Sequence, residues 1–393
     1  MTEFSPSLVQ VFSAFLVFTL GLILFAWVRR FFQCGFYRAL LIYFWHTLFS
    51  LVSYLYVIKF GGDAIQYFRS SLSPDVEFSL GTNAVRFIAS IFTQGFGLSL
   101  FGCFLVFQIF GAMGLLAFDA SLREATQFKS RNIKRLATII VFLPSLSFWS
   151  SALGKDALSF FAAGFALWAA LRLRQRWWLL VFAIFVMLLV RPHMAGMMGL
   201  GLAGSFLLQR GIPIVQRLLL GGAAVAASLA LVPFGLDYAG VGQQAGASEV
   251  IEFIESRQNH NLKGGGAVDI SGMSPPAQMF TYLFRPTLIE VRDAFSLAAA
   301  IDNLILLFLF ISGGWVLIKK PLPVYFSKHN RMFLWIYSFI AWVILAMTTA
   351  NLGIALRQKW MFVPMLIFLF ISVIGKNNSI DECQSGDAAR RIP

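Results

Sequence analysis

Five short polar clusters interrupt an otherwise apolar chain. They are Gly61-Gly62-Asp63-Ala64-Ile65-Gln66-Tyr67, Lys155-Asp156, Arg191-Pro192-His193, Arg285-Pro286 and Arg357-Gln358-Lys359. The three guanidinium groups and the Lys155 ammonium suit an anion of high charge. A guanidinium grips phosphate oxygens through two parallel N–H bonds and stays charged where water is scarce. Arg191, Arg285, Arg357 and Lys155 are therefore candidate phosphate-binding residues. A carboxylate or imidazole beside such an anion can take the proton of an attacking hydroxyl. Asp63, Asp156 and His193 are the candidates for that catalytic work.

Each residue also has a structural alternative. Asp156 opens an apolar run, where a carboxylate is favourable against the helix dipole. Lys155 can mark the membrane interface by extending its amine to water. Arg285 can pair with Glu290 or Asp293. Arg191 is harder to dismiss, because it occupies a short external connection, against the bias of basic residues toward the inner side. Pro192 suits the first position of the next helix. Asp302 and Asn303 lie about two turns into a spanning helix, so they should face the bundle interior. They form either a pair with a basic neighbour or the floor of the site. His46 lies mid-helix and is a packing residue; His260 and His329 do not stand out.

Other chemistries have no signature here. There is no Gly-x-x-x-x-Gly-Lys phosphate loop, no His-Glu-x-x-His and no Cys/His cluster. Cys34, Cys103 and Cys383 have no metal-ligand spacing. No cofactor is implied. Asp63 with a second carboxylate could hold a divalent metal, but nothing in the sequence requires one.

The elements that must position these residues are membrane helices. Apolar residues make up 58% of the 393, and charged residues only 12%, against roughly 25% in a soluble domain. Apolar runs near 8–28, 37–58, 95–118, 136–150, 157–171, 177–190, 194–209, 218–236, 295–318, 332–350 and 360–375 predict an all-α, polytopic transmembrane bundle of about eleven spanning helices. Residues 1–376 form one helical domain, with longer external loops at about 59–94 and 237–293. Residues 377–393 form a polar cytoplasmic tail. The first run follows no basic leader region, so an uncleaved span is expected.

Orientation follows from the basic residues. Twenty of the 31 Lys and Arg fall in the clusters Arg29–Arg38, Arg123–Arg135, Arg172–Arg176, Arg210–Arg217, Lys319–Arg331 and Lys376–Arg391. These alternate along the chain as cytoplasmic segments should, which puts the N-terminus outside and the C-terminus in the cytoplasm. The polar clusters then fall on the external face. The net charge of +13 fits contact with anionic lipid. No basic, aromatic-interleaved soluble segment exists to bind nucleic acid. In the second loop, Val250, Ile251, Phe253 and Ile254 have helical spacing and precede Gly264-Gly265-Gly266. That pattern predicts an amphipathic helix on a hinge, able to close over substrate.

The blocks Pro144-Ser145-Leu146-Ser147-Phe148-Trp149-Ser150-Ser151-Ala152-Leu153-Gly154-Lys155-Asp156-Ala157, Arg191-Pro192-His193, Leu283-Phe284-Arg285-Pro286 and Asn351-Leu352-Gly353 with Arg357 resemble membrane proteins of bacterial polysaccharide gene clusters. The layout is similar to GT-C-type glycosyltransferases and to O-antigen polymerases of the Wzy or EpsG kind. The GT-C likeness rests on Asp63 in the first large external loop, followed by Tyr67, which it marks as a substrate-binding residue. The chain departs from the metal-dependent GT-C pattern in having no paired acidic motif after Asp63. Its external arginines look more like the metal-free polymerases and ligases. The resemblance implies a bacterial inner-membrane glycosyl-transfer protein of cell-surface polysaccharide biosynthesis. Its substrate would be a polyprenyl-(di)phosphate-linked sugar or oligosaccharide, with the lipid entering sideways between helices. Membrane lipids and other polysaccharide-assembly proteins are the implied partners. The alternatives are a lipid-glycan flippase or transporter, whose ionisable groups should lie near the bilayer midplane, and a non-catalytic scaffold of envelope assembly.

Overall fold

A computed structural model describes residues 7–208, 213–230, 256, 258, 266–270, 272–319 and 330–375. These residues are helical throughout, apart from an isolated antiparallel bridge between Ala267 and Asn351 and the turns that join the helices. In chain order the helices are α1 (Leu8–Val28), α2 (Phe36–Phe60), α3 (Asp63–Ser71), α4 (Thr82–Phe96), α5 (Leu100–Thr126), α6 (Arg131–Val141), α7 (Pro144–Ser150) and α8 (Lys155–Ala170). They continue with α9 (Leu173–Val190), α10 (Pro192–Leu208), α11 (Ile214–Ala230), α12 (Pro275–Phe284), α13 (Ala294–Lys319), α14 (Arg331–Thr348), α15 (Leu352–Gln358) and α16 (Val363–Ile371).

Seven candidate crossings are long and apolar enough to span a membrane: α1, α2, α5, α6 with α7, α9, α13 and α14. An eighth is the bent pair Leu352–Met361 and Val363–Ile371, which meet at 63°. By length and composition this is a multi-pass membrane protein. The apolar runs predict about eleven crossings. The difference lies mainly in α8, α10 and α11, which have 16, 17 and 17 residues. At about 1.5 Å per residue the 16 residues of α8 span less than the roughly 30 Å hydrocarbon core, while α10 and α11 run to the edge of the described residues at Leu208 and Ala230.

The stretch expected as an external loop at about 59–94 contains α3 and α4. Gly61 and Gly62 make the turn that starts α3, with φ of +80° and +154°. Gly61 N–H closes α2 on Val57 O at 2.8 Å, and a side chain at φ +80° would be strained. The turn leaves Asp63 as the first residue of α3. The predicted amphipathic segment at Ser248–Asn259 and its glycine hinge fall outside the described residues, save Ser256, Gln258 and Gly266. Gly266 O accepts from Leu352 N at 2.8 Å, which fastens that part of the chain to the start of α15.

The centre of the bundle is α5 against α8. Gly114 and Gly164 bring their backbones together, and a Cβ on Gly164 would sit 2.4 Å from Gly114 O. Such small-residue contacts let helices associate by close packing where lipid removes the hydrophobic drive. At one end of α5, Asp119 is buried between Arg38 at 2.6 Å and Arg123 at 2.8 Å. Two of the arginines expected on the cytoplasmic side thus also neutralise an internal acid. Beside them, burial pushes the Cys34 thiol up to about 11, which keeps it protonated and unreactive.

Candidate functional site

The residues that line one polar cavity of about 380 Å³ come from separate helix ends. α2 contributes Ser53, Tyr56 and Val57; α3 contributes Asp63, Ala64 and Tyr67. Phe148 and Trp149 come from α7, Lys155 and Asp156 from the start of α8, Arg191 from the α9–α10 junction, and Arg357 and Gln358 from α15. Six of the eight candidate residues therefore share one cavity: Asp63, Tyr67, Lys155, Asp156, Arg191 and Arg357.

Local structure sets each position. Asp63 and Asp156 stand in the first turns of their helices, where backbone N–H groups favour a negative charge. Arg191 caps α9 with a non-helical backbone, its N–H on Met187 O at 2.7 Å, and Pro192 begins α10. Arg357 stands in the last turn of the seven-residue α15, whose start is capped by the Asn351 side chain accepting from Gly353 and Ile354 N–H. The Tyr67 ring lies against Gly154, where a Cβ would come to 3.6 Å.

Two Asp–Arg pairs face the cavity. Arg191 Nη2 donates to Asp156 Oδ1 at 2.5 Å, and its Nε donates to Ser159 Oγ at 3.2 Å. This pair is largely enclosed, with 11% of the arginine and 18% of the aspartate side chain exposed. Arg357 Nη1 donates to Asp63 Oδ2 at 3.2 Å, and its guanidinium lies 5.7 Å from the Trp149 ring. Here the aspartate is 61% exposed. With Lys155 the lining carries three cations and two carboxylates, one positive charge in excess. The open Asp63 is the carboxylate that can meet a substrate hydroxyl. Asp156 is turned onto Arg191 and orients it.

Arg285 and His193 do not line this cavity. Arg285 Nε donates to Glu290 Oε1 at 2.8 Å, and Glu290 also accepts from Thr287 N–H and Oγ1–H. The Arg285 bond, then those of Thr287, hold the Glu290 carboxyl down at about 2. Arg285 thus has its local structural partner, as the nearby acids allow. His193 lies half-buried in the first turn of α10.

A second polar network lies inside the bundle. Asp302 Oδ2 accepts from the Ser145 N–H at 3.2 Å and from the Ser145 hydroxyl, at the N-terminus of α7. Lys359 Nζ donates to Asn303 Oδ1 at 2.5 Å, and Asn303 Nδ2 donates to Pro286 O at 3.0 Å. Asp302, Asn303 and Lys359 are all buried. The network ties together α7 and the end of α15, both of which wall the cavity. Another buried group, His46, sits between Gln108 Oε1 at 3.3 Å and Ser150 Oγ at 3.0 Å, in the packing role expected of it.

Residue types alone do not single out Trp149, Gln358 and Ser159. Ser159 stands three positions after Asp156, so a helix puts both on one face. That spacing is the signal for it. Among the described residues, no group of three or more His, Cys, Asp or Glu is arranged to hold a metal ion. No protein-family model, curated protein or solved structure matches the chain.

Proposed function

We propose that this protein transfers glycosyl groups from a polyprenyl-(di)phosphate-linked donor at the external face of a bacterial inner membrane, in the manner of a polysaccharide polymerase or a GT-C glycosyltransferase. The observation that supports it is the cavity that gathers Arg191, Arg357, Lys155 and the exposed Asp63 from segments up to 294 residues apart. In this reaction an acceptor oxygen attacks the anomeric carbon, and the lipid phosphate leaves with the bonding electron pair. Arg191, Arg357 and Lys155 stabilise the charge that grows on the leaving oxygen. Asp63 accepts the proton of the acceptor hydroxyl. Asp156 and Ser159 hold the Arg191 guanidinium in its fork geometry. The crossing count of about eleven, with the N-terminus outside and the C-terminus in the cytoplasm, belongs to the same reading.

A transporter of the lipid-linked glycan is the second reading, favoured by the buried Asp302–Asn303–Lys359 network within the bundle. Purified variants given a lipid-linked sugar donor separate the two. Asp63→Asn should lower turnover by at least about a hundredfold, the usual scale for losing a general base, with normal membrane insertion. A transporter tolerates Asp63→Asn and fails most at Asp302. Normal glycan transfer by both Asp63→Asn and Arg191→Ala would remove the proposed site.

A further inference from the structure

The cavity has one wall of aromatic rings, next to which two rings are exposed on the outside of the bundle. Tyr56 and Phe148 both line the cavity. With Phe295 they form a closed trio, with ring centroids 5.7, 4.9 and 5.2 Å apart. Phe295 is 45% exposed, and Phe60, packed against Tyr56 at 4.9 Å, is 63% exposed. α2 and α13 both pack on α7, and the trio bridges them above it. From the trio an aromatic stripe continues along one face of α2 toward the α6–α7 junction, where Trp45 packs on Phe142 at 5.7 Å. Trp45, Phe49, Tyr56 and Phe60 recur at helical spacing. The stripe runs about 22 Å along the helix.

A larger cavity of about 490 Å³ lies on the other side of α2, between α1 and α5. Its lining, which includes Phe15, Phe18, Leu51 and Leu105, holds no charged residue and shares none with the polar cavity. A neutral lipid suits it. An amphiphile with an anionic head does not, because nothing there compensates the charge.

We infer that the seam between α2 and α13 holds the hydrocarbon chain of a polyprenyl phosphate whose head group occupies the polar cavity. This rests on the reading of that cavity as a lipid-phosphate site, and adds the route of the chain. The head is drawn in by the excess positive charge, and the chain leaves past Tyr56, Phe148 and Phe295. Bilayer and seam are equally apolar, so the chain gains little from the hydrophobic effect. It gains dispersion contacts with ring faces along the stripe, and these fix its direction.

The full chain in lipid nanodiscs, with a polyprenyl monophosphate carrying a photoreactive group along its chain, tests this. Labelling should fall on residues 45–60 and on the first turns of α13, several-fold above α1. Unlabelled polyprenyl phosphate should displace it, and uncharged polyprenol should not. Arg357→Gln should reduce the displaceable labelling by about tenfold, the scale of one lost charge-assisted bond. Displaceable labelling on α1 and the start of α5 instead would overturn the seam while leaving the cavity a lipid-phosphate site. Equal displacement by polyprenol, or uniform labelling that nothing displaces, would overturn both.

Discussion

Arg191 has two possible occupations, holding Asp156 or holding a phosphate, and a double-mutant cycle tells them apart. Arg191→Ala leaves the Asp156 carboxylate, only 18% exposed, without its hydrogen-bonded guanidinium and with Arg357 as a more distant cation, and empties the Ser159 contact. Exposed ion pairs contribute about 0–1 kcal/mol, and breaking a fully buried one costs about 3–5 kcal/mol. This pair lies between these limits, so a loss of about 2–3 kcal/mol of stability is expected. Asp156→Asn alone should cost less, because the amide oxygen still accepts from the guanidinium. In the double variant Arg191→Ala/Asp156→Asn the unpaired charge is gone, and most of the stability should return. Binding should behave differently. If Arg191 grips phosphate, affinity for polyprenyl phosphate stays low in the double variant, by about tenfold or more. Thermal unfolding in detergent reads the first quantity, and direct binding of the lipid phosphate reads the second. Full recovery of affinity together with stability would refute the phosphate role and leave Arg191 a structural residue.

Other perturbations test the frame around the site. Gly111→Ala places a Cβ 2.0 Å from Ser150 O and 2.7 Å from His46 Cε1; overpacking of this kind costs about 1–3 kcal/mol, read as a lower melting temperature, and an unchanged one contradicts the α5–α7 contact. Glu290 has its carboxyl held at about 2 against an ordinary 4.5, so its pairing with Arg285 stabilises fully above the ordinary value and is lost as pH falls toward 2. Melting temperature should therefore drop less steeply between about pH 5 and 3 in Glu290→Gln than in the wild type, and parallel curves would deny the pair any role. Reporter fusions after Arg131 and Arg174 should read cytoplasmic and a fusion at Asp75 external; the reverse would turn the cavity to the wrong side for an external enzyme.

Most of the cavity is legible in the sequence because its residues sit at helix ends. A polar residue that interrupts an apolar run has few places to go, and alternate crossings bring alternate ends to one face. Asp63, Lys155, Asp156, Arg191 and Arg357 meet for that reason. Lys359 escapes the pattern. It is two positions from Arg357, and in a helix two such residues point about 200° apart. One therefore enters the cavity while the other turns into the bundle onto Asn303. Arg285 is lost to a partner five residues away, a local pairing that competes with any distant one. The helices α3 and α4 are obscured by their polar residues. Ala64, Tyr67 and Ser71 are nonetheless buried at helical spacing. The short length of α8 is invisible to an apolar-run count, because nearly all-round burial in protein and exposure to lipid select similar residues.

The backbone contact between Gly114 and Gly164 has a bearing on how such a protein diverges. Lys155 and Asp156 start α8, and Arg191 is bonded to Asp156 and Ser159 on the same helix. That half of the cavity is built on a pairing with little room to adjust, where a single added methyl collides with main chain. The opposite half stands on α3 and α15, helices of nine and seven residues joined to the rest by turns. If the cavity transfers sugars as proposed, lineages that acquire a new acceptor should accumulate their substitutions around Asp63, Tyr67 and Arg357, and fewer in the half that carries Arg191.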